Sequence, residues 1–133
     1  QSLSYITVTG GIMEIIASVA VGLVALLHLY FMILEMFFWD RPPGIRAFGL
    51  KPDFAKASKA LAANQGLYNG FLVAGLVWGL VYGAAGFQIK LFFLGCVIVA
   101  GVFGAVTASR KILFFQALPG AVALALVLIA GLL

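Results

Sequence analysis

The sequence predicts an all-α chain: a four-helix transmembrane bundle with both termini outside and a long cytoplasmic loop between helices 1 and 2. Three observations lead there. The first is composition, 65% hydrophobic and 9% charged over 133 residues. Soluble domains run at roughly 45–50% apolar and about 25% charged, and a water-soluble core of this length cannot hide so much apolar surface. The second is the presence of four apolar runs, at residues 12–39, 60–82, 89–108 and 112–132. Each is close to the ~20 residues that cross ~30 Å of hydrocarbon. The third is that none of these runs alternates in polarity. A barrel is thereby excluded, and helices remain as the spanning structure that satisfies every backbone donor within its own segment. A soluble enzyme, a nucleic-acid reader and a disordered tail are excluded on the same grounds. The lipid bilayer is the expected partner.

The chain opens on Gln1, and Met13 begins the first strongly apolar stretch. Residues 1–12 therefore read as an N-terminal extension or a cloning remnant, and residues 13–133 as a single four-helix transmembrane domain. No basic segment precedes the first run, and that run is too long for the apolar core of a signal peptide, so it is expected to be retained. Cys96 is the single cysteine, which excludes an intrachain disulfide or a thiolate metal cluster.

The connections between runs set the orientation. Pro42 and Pro43 end the first helix. Pro52 followed by Asp53 can start another before the bilayer is reached, with Lys56 and Lys59 on its first exposed turns. The second connection, residues 83–88, is short and nearly uncharged, and the third is a tight hairpin at Arg110 and Lys111. Loops one and three carry Arg41, Arg46, Lys51, Lys56, Lys59, Arg110 and Lys111, against Lys90 alone on the other side. By the positive-inside rule these loops face the cytoplasm and both termini lie outside. A multi-pass membrane location follows.

Small residues recur every fourth position: Gly66 and Gly70; Gly75, Gly79 and Gly83; Ala100, Gly104 and Ala108; Ala117, Ala121 and Ala125. Such spacing lets helix backbones approach closely. It suits packing within the bundle and a homo-oligomer seam alike. Pro119 is a candidate kink in the last helix.

Ionisable groups within apolar runs are costly and need an explanation. Glu14, Val21, His28 and Glu35 are seven apart and lie along one stripe, with Ser18, Ala25 and Met32 between them. The second run offers Asn64, Gln65, Tyr68 and Asn69. With Trp39 and Lys59 as interface markers, Glu35 lies ~6 Å deep and Asn64 ~7.5 Å, while His28 lies ~16 Å deep and Asn69 ~15 Å. Two rungs are expected, Glu35 with Asn64 and Gln65, and His28 with Asn69. Glu14 reads as an interfacial, solvated carboxylate. His28 and Glu35 alone do not make a metal site, and none is assigned.

HLYFMILEMFFW at residues 28–39, followed by RPPGIRAFGL, and LAANQGLYNGFLVAGLVWG at residues 61–79 resemble a family of small bacterial integral-membrane proteins known as a domain of unknown function. The resemblance runs from Met13 to the C-terminus. It implies a four-helix inner-membrane protein and brings no substrate. A weaker, architectural resemblance is to the membrane-associated proteins of eicosanoid and glutathione metabolism. Those are short four-helix proteins, commonly trimeric, that bind glutathione or lipophilic ligands near the cytosolic side. Ala62–Asn64 is similar to part of their second-helix Arg-x-x-x-Asn-x-x-Glu pattern, with Ala60 and Leu67 in place of the Arg and the Glu. This resemblance implies a homo-oligomer, with a trimer as the analogy's form.

No phosphate-binding loop, His-Glu-x-x-His pair or nucleophile elbow is present, so the sequence names no reaction, catalytic residue or cofactor. The expected function is binding of a small amphipathic or lipophilic ligand in a polar intramembrane pocket open to the cytoplasm. Glu35, His28, Asn64, Gln65, Asn69 and Tyr68 line that pocket. The alternatives are a small oligomeric transporter or exporter, with Glu35 and His28 titrating, and a structural accessory subunit of a membrane complex.

Overall fold

The computed structural model describes residues 2–133, almost all of them helical. In chain order these are α1 (Ser2–Phe37), α2 (Pro42–Phe48), α3 (Pro52–Ala57), α4 (Lys59–Val81), a 3-10 turn (Gly83–Gly86), α5 (Phe87–Thr107), a π-wound turn (Leu113–Ala117) and α6 (Leu118–Leu132). Among the described residues, three stretches are long and apolar enough to cross a membrane: Ser2–Phe37, Gly83–Thr107 and Leu113–Leu132. The fourth expected span, α4, has 23 residues. Asn64, Gln65 and Asn69 dilute its apolar content, and it does not join the other three. Leu61, Val81, Val106 and Leu132 are at least 75% exposed, which fits helices solvated by lipid.

α1 begins at Ser2, so residues 2–12 continue the first apolar run as helix. Thr7 and Thr9 donate their hydroxyls to the carbonyls of Leu3 and Tyr5 at 2.8 and 2.9 Å. Such back-bonding keeps a hydroxyl satisfied within its own helix. At 36 residues the helix is about 54 Å long, well beyond the hydrocarbon thickness.

Pro42 and Pro43 follow the end of α1, but they open α2 rather than an extended loop, since a proline in the first helical turn gives up no hydrogen bond. Gly49 closes α2 in the left-handed conformation at φ 62°. Pro52 opens α3 with Asp53 in its first turn, as expected, but this helix stops at Ala57, so Lys59 opens α4 instead of continuing the same helix. The hairpin at Arg110 and Lys111 is also found, held by Ala108 and Ser109 N–H bonds to the Gly104 carbonyl.

The chain forms two compact units. One comprises the chain up to Ala25 together with Gly75–Leu133. Its core includes Ala17, Val21, Leu76, Leu94, Val97, Ala123 and Val127. α5 and α6 meet where Gly101 lies against the Ala117 backbone and Gly120 against Val97. The buried set on the last segment is Ala117, Gly120, Ala123 and Val127, whereas Ala121 and Ala125 are exposed. Steps of four overshoot a helical turn by about 40° each, so the every-fourth stripe drifts off the seam that mixed steps of three and four follow. Pro119 has no N–H for the Phe115 carbonyl, and the chain ahead of it is wound as a π turn. In this unit Lys90 is drawn inward: its side chain is 4% exposed and its ammonium lies 3.4 Å from Glu14.

The other unit is Leu26–Ala74. Leu34, Ala55 and Ala62 are buried here together with His28 and Glu35. The Trp39 indole N–H donates to Ser58 Oγ at 2.9 Å, and that hydroxyl donates to the Phe54 carbonyl at 2.7 Å. Asp40 pairs with Lys59 at 3.4 Å. These contacts close the polar end of the unit.

Candidate functional site

The stripe read from α1 faces inward. Val21 and His28 are fully buried, and Glu35 is 2% exposed. A carboxyl group within an apolar helix must find hydrogen-bond partners on another element, and α4 supplies them. Asn69 donates its side-chain N–H to Glu35 Oε1. Gln65, one turn earlier on α4, adds a second side-chain hydrogen bond to the same carboxyl group.

The upper rung is found in part: Gln65 meets Glu35 as expected, and Asn69, expected one level deeper, reaches Glu35 as well. The reason lies in side-chain direction. Every Cα–Cβ bond in a helix tilts toward its own N-terminus. In antiparallel neighbours, Glu35 leans down α1 while Asn69 leans back along α4, so the two converge although their Cα atoms sit at different depths. Depths counted along the backbone carry no such correction. Asn64 takes no part in this contact. It is exposed and donates to the Tyr68 hydroxyl at 3.3 Å along its own helix face. His28 sits edge-on to Phe31, with ring centroids 5.7 Å apart.

Close approach of α1 and α4 depends on glycine. A side chain at Gly66 would run into Met36 Cγ, Glu35 Cβ and the Met32 carbonyl, and one at Gly70 would meet the Met32 sulfur. The Gly66–Gly70 pair is thus used within the chain. In the same unit aromatic rings form a connected face: Phe31 to Phe48 at 6.4 Å and Phe48 to Trp39 at 5.0 Å. Trp39 and Phe48, read from sequence as an interfacial anchor and a loop residue, belong to this face. Phe48 was missed because helix α2 was not foreseen. A second omission is Lys90, whose burial beside Glu14 no local pattern signals.

Chemically, the arrangement on α1 and α4 is a buried acceptor met by neutral amide donors. It holds no nucleophile next to a base.

Residues 22–128 match a protein family described as a protein of unknown function (DUF1304). The chain is also similar to the uncharacterized protein YpaA of Lactococcus lactis subsp. lactis (strain IL1403), with 32% identity over 106 residues that cover 78% of this chain and 89% of that protein. No solved structure matches the chain. His28, Glu35, Asn64, Gln65, Tyr68 and Asn69 all lie within the matched span, and Glu14 lies outside it.

Proposed function

The chain belongs to the DUF1304 family, whose function is unknown, and from that premise we propose that it is a small multi-pass protein of the bacterial inner membrane. Both termini face outward, and a polar pocket open to the cytoplasm binds a small amphipathic ligand. The ligand's head group is cationic or donor-rich, and Glu35 receives it. Gln65 and Asn69 hold the carboxylate and yield to the ligand. His28 lines the deep end, and Asn64 and Tyr68 line the exposed approach.

One observation carries this reading: a carboxyl group only 2% exposed within an apolar helix, met by neutral amides. Packing alone does not need an ionisable group, because a Gln would make the same interhelical bonds without the cost of a charge, roughly 2.5–3.5 kcal/mol on insertion scales. The ring face of Phe31, Phe48 and Trp39 suits the apolar body of such a ligand, and aromatic rings attract cations.

The test uses tetraphenylphosphonium as the probe, titrated into the detergent-solubilised full chain and read by quenching of tryptophan fluorescence. Saturable binding by the wild type, weakened about tenfold or more in Glu35→Gln, is expected for a charge-dependent site. Equal binding by the two proteins reduces Glu35 to an interhelical clasp and overturns the reading.

A further inference from the structure

A second polar centre lies in the unit built from the N-terminal half of α1 and the chain after Gly75. Here a partly open cavity of about 280 Å³ is lined by Glu14 and Lys90, with Ala17, Phe87, Val127 and Ala130 among its walls. It is smaller than the roughly 300–1,000 Å³ typical of drug-sized sites, and suits a head group rather than a large ligand. Its two charges are unequal in burial. The Lys90 side chain is 4% exposed and that of Glu14 is 41% exposed, with the ammonium and carboxylate 3.4 Å apart.

An ammonium carries three donors, and one of those of Lys90 goes to Glu14. Taking a lysine this far from water is costly unless further acceptors are available. The cavity also has no net charge. A lone anion attracted by Lys90 is repelled by Glu14, and a lone cation meets the reverse. The complementary guest carries both signs. Ala84, in the turn between α4 and α5, and Gly131, near the end of α6, also line the cavity. The site is therefore at the helix ends, where apolar spans give way to the polar interface.

We propose that the Glu14–Lys90 cavity binds a zwitterionic head group that combines an anionic phosphate oxygen with a primary ammonium. Lys90 takes the phosphate and Glu14 takes the ammonium, while Phe87 and Val127 bound the apolar portion. Two sources share this chemistry, the phospholipid phosphatidylethanolamine and a soluble phosphoethanolamine ester. The site is independent of Glu35.

The experiment is native mass spectrometry of the full chain in detergent, given phosphatidylethanolamine, phosphatidylcholine or phosphatidylglycerol at equal concentration. The wild type should retain phosphatidylethanolamine about tenfold better than either other lipid. Phosphatidylcholine's quaternary ammonium donates no hydrogen bond, and phosphatidylglycerol has no cation for Glu14. Lys90→Gln and Glu14→Gln should each remove that preference, and Glu14→Gln should raise retention of phosphatidylglycerol because the repelling carboxylate is gone. Ala130→Leu fills the cavity without touching either charge and should also abolish the preference. If Lys90→Gln fails to fold, the other two variants decide. Glycerophosphoethanolamine as competitor separates the sources: displacement of the lipid assigns a soluble guest and no displacement assigns the lipid, and each supports the zwitterion site. Equal retention of the three lipids by the wild type, or a preference that survives Glu14→Gln and Ala130→Leu, overturns it.

Discussion

Asn69 on α4 donates its side-chain N–H to Glu35 on α1, joining two helices across 34 positions of sequence. Both side chains lean toward the N-termini of their own helices, so in an antiparallel pair they point at each other. The bond is therefore a direct consequence of the two helices running in opposite directions past Gly66.

That bond should be measurable as a coupling. Asn69→Leu removes a donor from a buried carboxyl group and should cost about 1–3 kcal/mol. In a double-mutant cycle with Glu35→Leu, the coupling energy should be about 1 kcal/mol, the order found for interhelical bonds in membranes. Thermal or denaturant unfolding in detergent provides the readout. Additive losses in the double mutant would show that the bond contributes nothing to the fold.

Gly66 should tolerate no side chain. Gly66→Val meets Met36 Cγ, Glu35 Cβ and the Met32 carbonyl, and overpacking of that kind costs about 1–3 kcal/mol. Gly22 and Gly95 have nothing within 4 Å of an added Cβ. Gly22→Ala and Gly95→Ala should be neutral, or stabilising by up to about 1 kcal/mol through helix propensity. The three melting temperatures, compared in one detergent, check the contrast.

At the polar end, Ser58→Ala removes the acceptor of the Trp39 indole N–H. A loss of about 1 kcal/mol is expected, along with a change in tryptophan emission. Lys59→Gln breaks the exposed pair with Asp40 and should cost under about 0.5 kcal/mol. A larger effect for Lys59 than for Ser58 would reverse this ranking.

On the proposed topology, cysteines introduced at Arg46 and Lys51 should be shielded from a membrane-impermeant thiol reagent in intact cells and react only after permeabilisation. The background is a Cys96→Ala chain. Modification from the periplasm in intact cells inverts the proposed topology.

The purified protein should form a small homo-oligomer, with a trimer as the form suggested by the architectural resemblance to the membrane-associated proteins of eicosanoid and glutathione metabolism. Light scattering with the detergent contribution subtracted, repeated at several detergent concentrations, measures the mass. A constant monomer mass excludes the oligomer.

Composition and the length of the apolar runs alone determined that this chain is helical and apolar enough for a membrane, because lipid leaves the backbone no other internally bonded option here. The α1 stripe was equally legible: positions 21, 28 and 35 share a face by helical period, and all three are buried. Three features were decided by tertiary structure. Whether Asn64 or Asn69 meets Glu35 depends on side-chain tilt in an antiparallel pair, which depth counting omits. The α6 residues that touch α5 depend on a phase beginning at the π turn before Pro119, which every-fourth spacing does not encode. The burial of Lys90 depends on Glu14, 76 positions away. A lysine's position in the sequence does not reveal which distant carboxylate the fold will bring beside it.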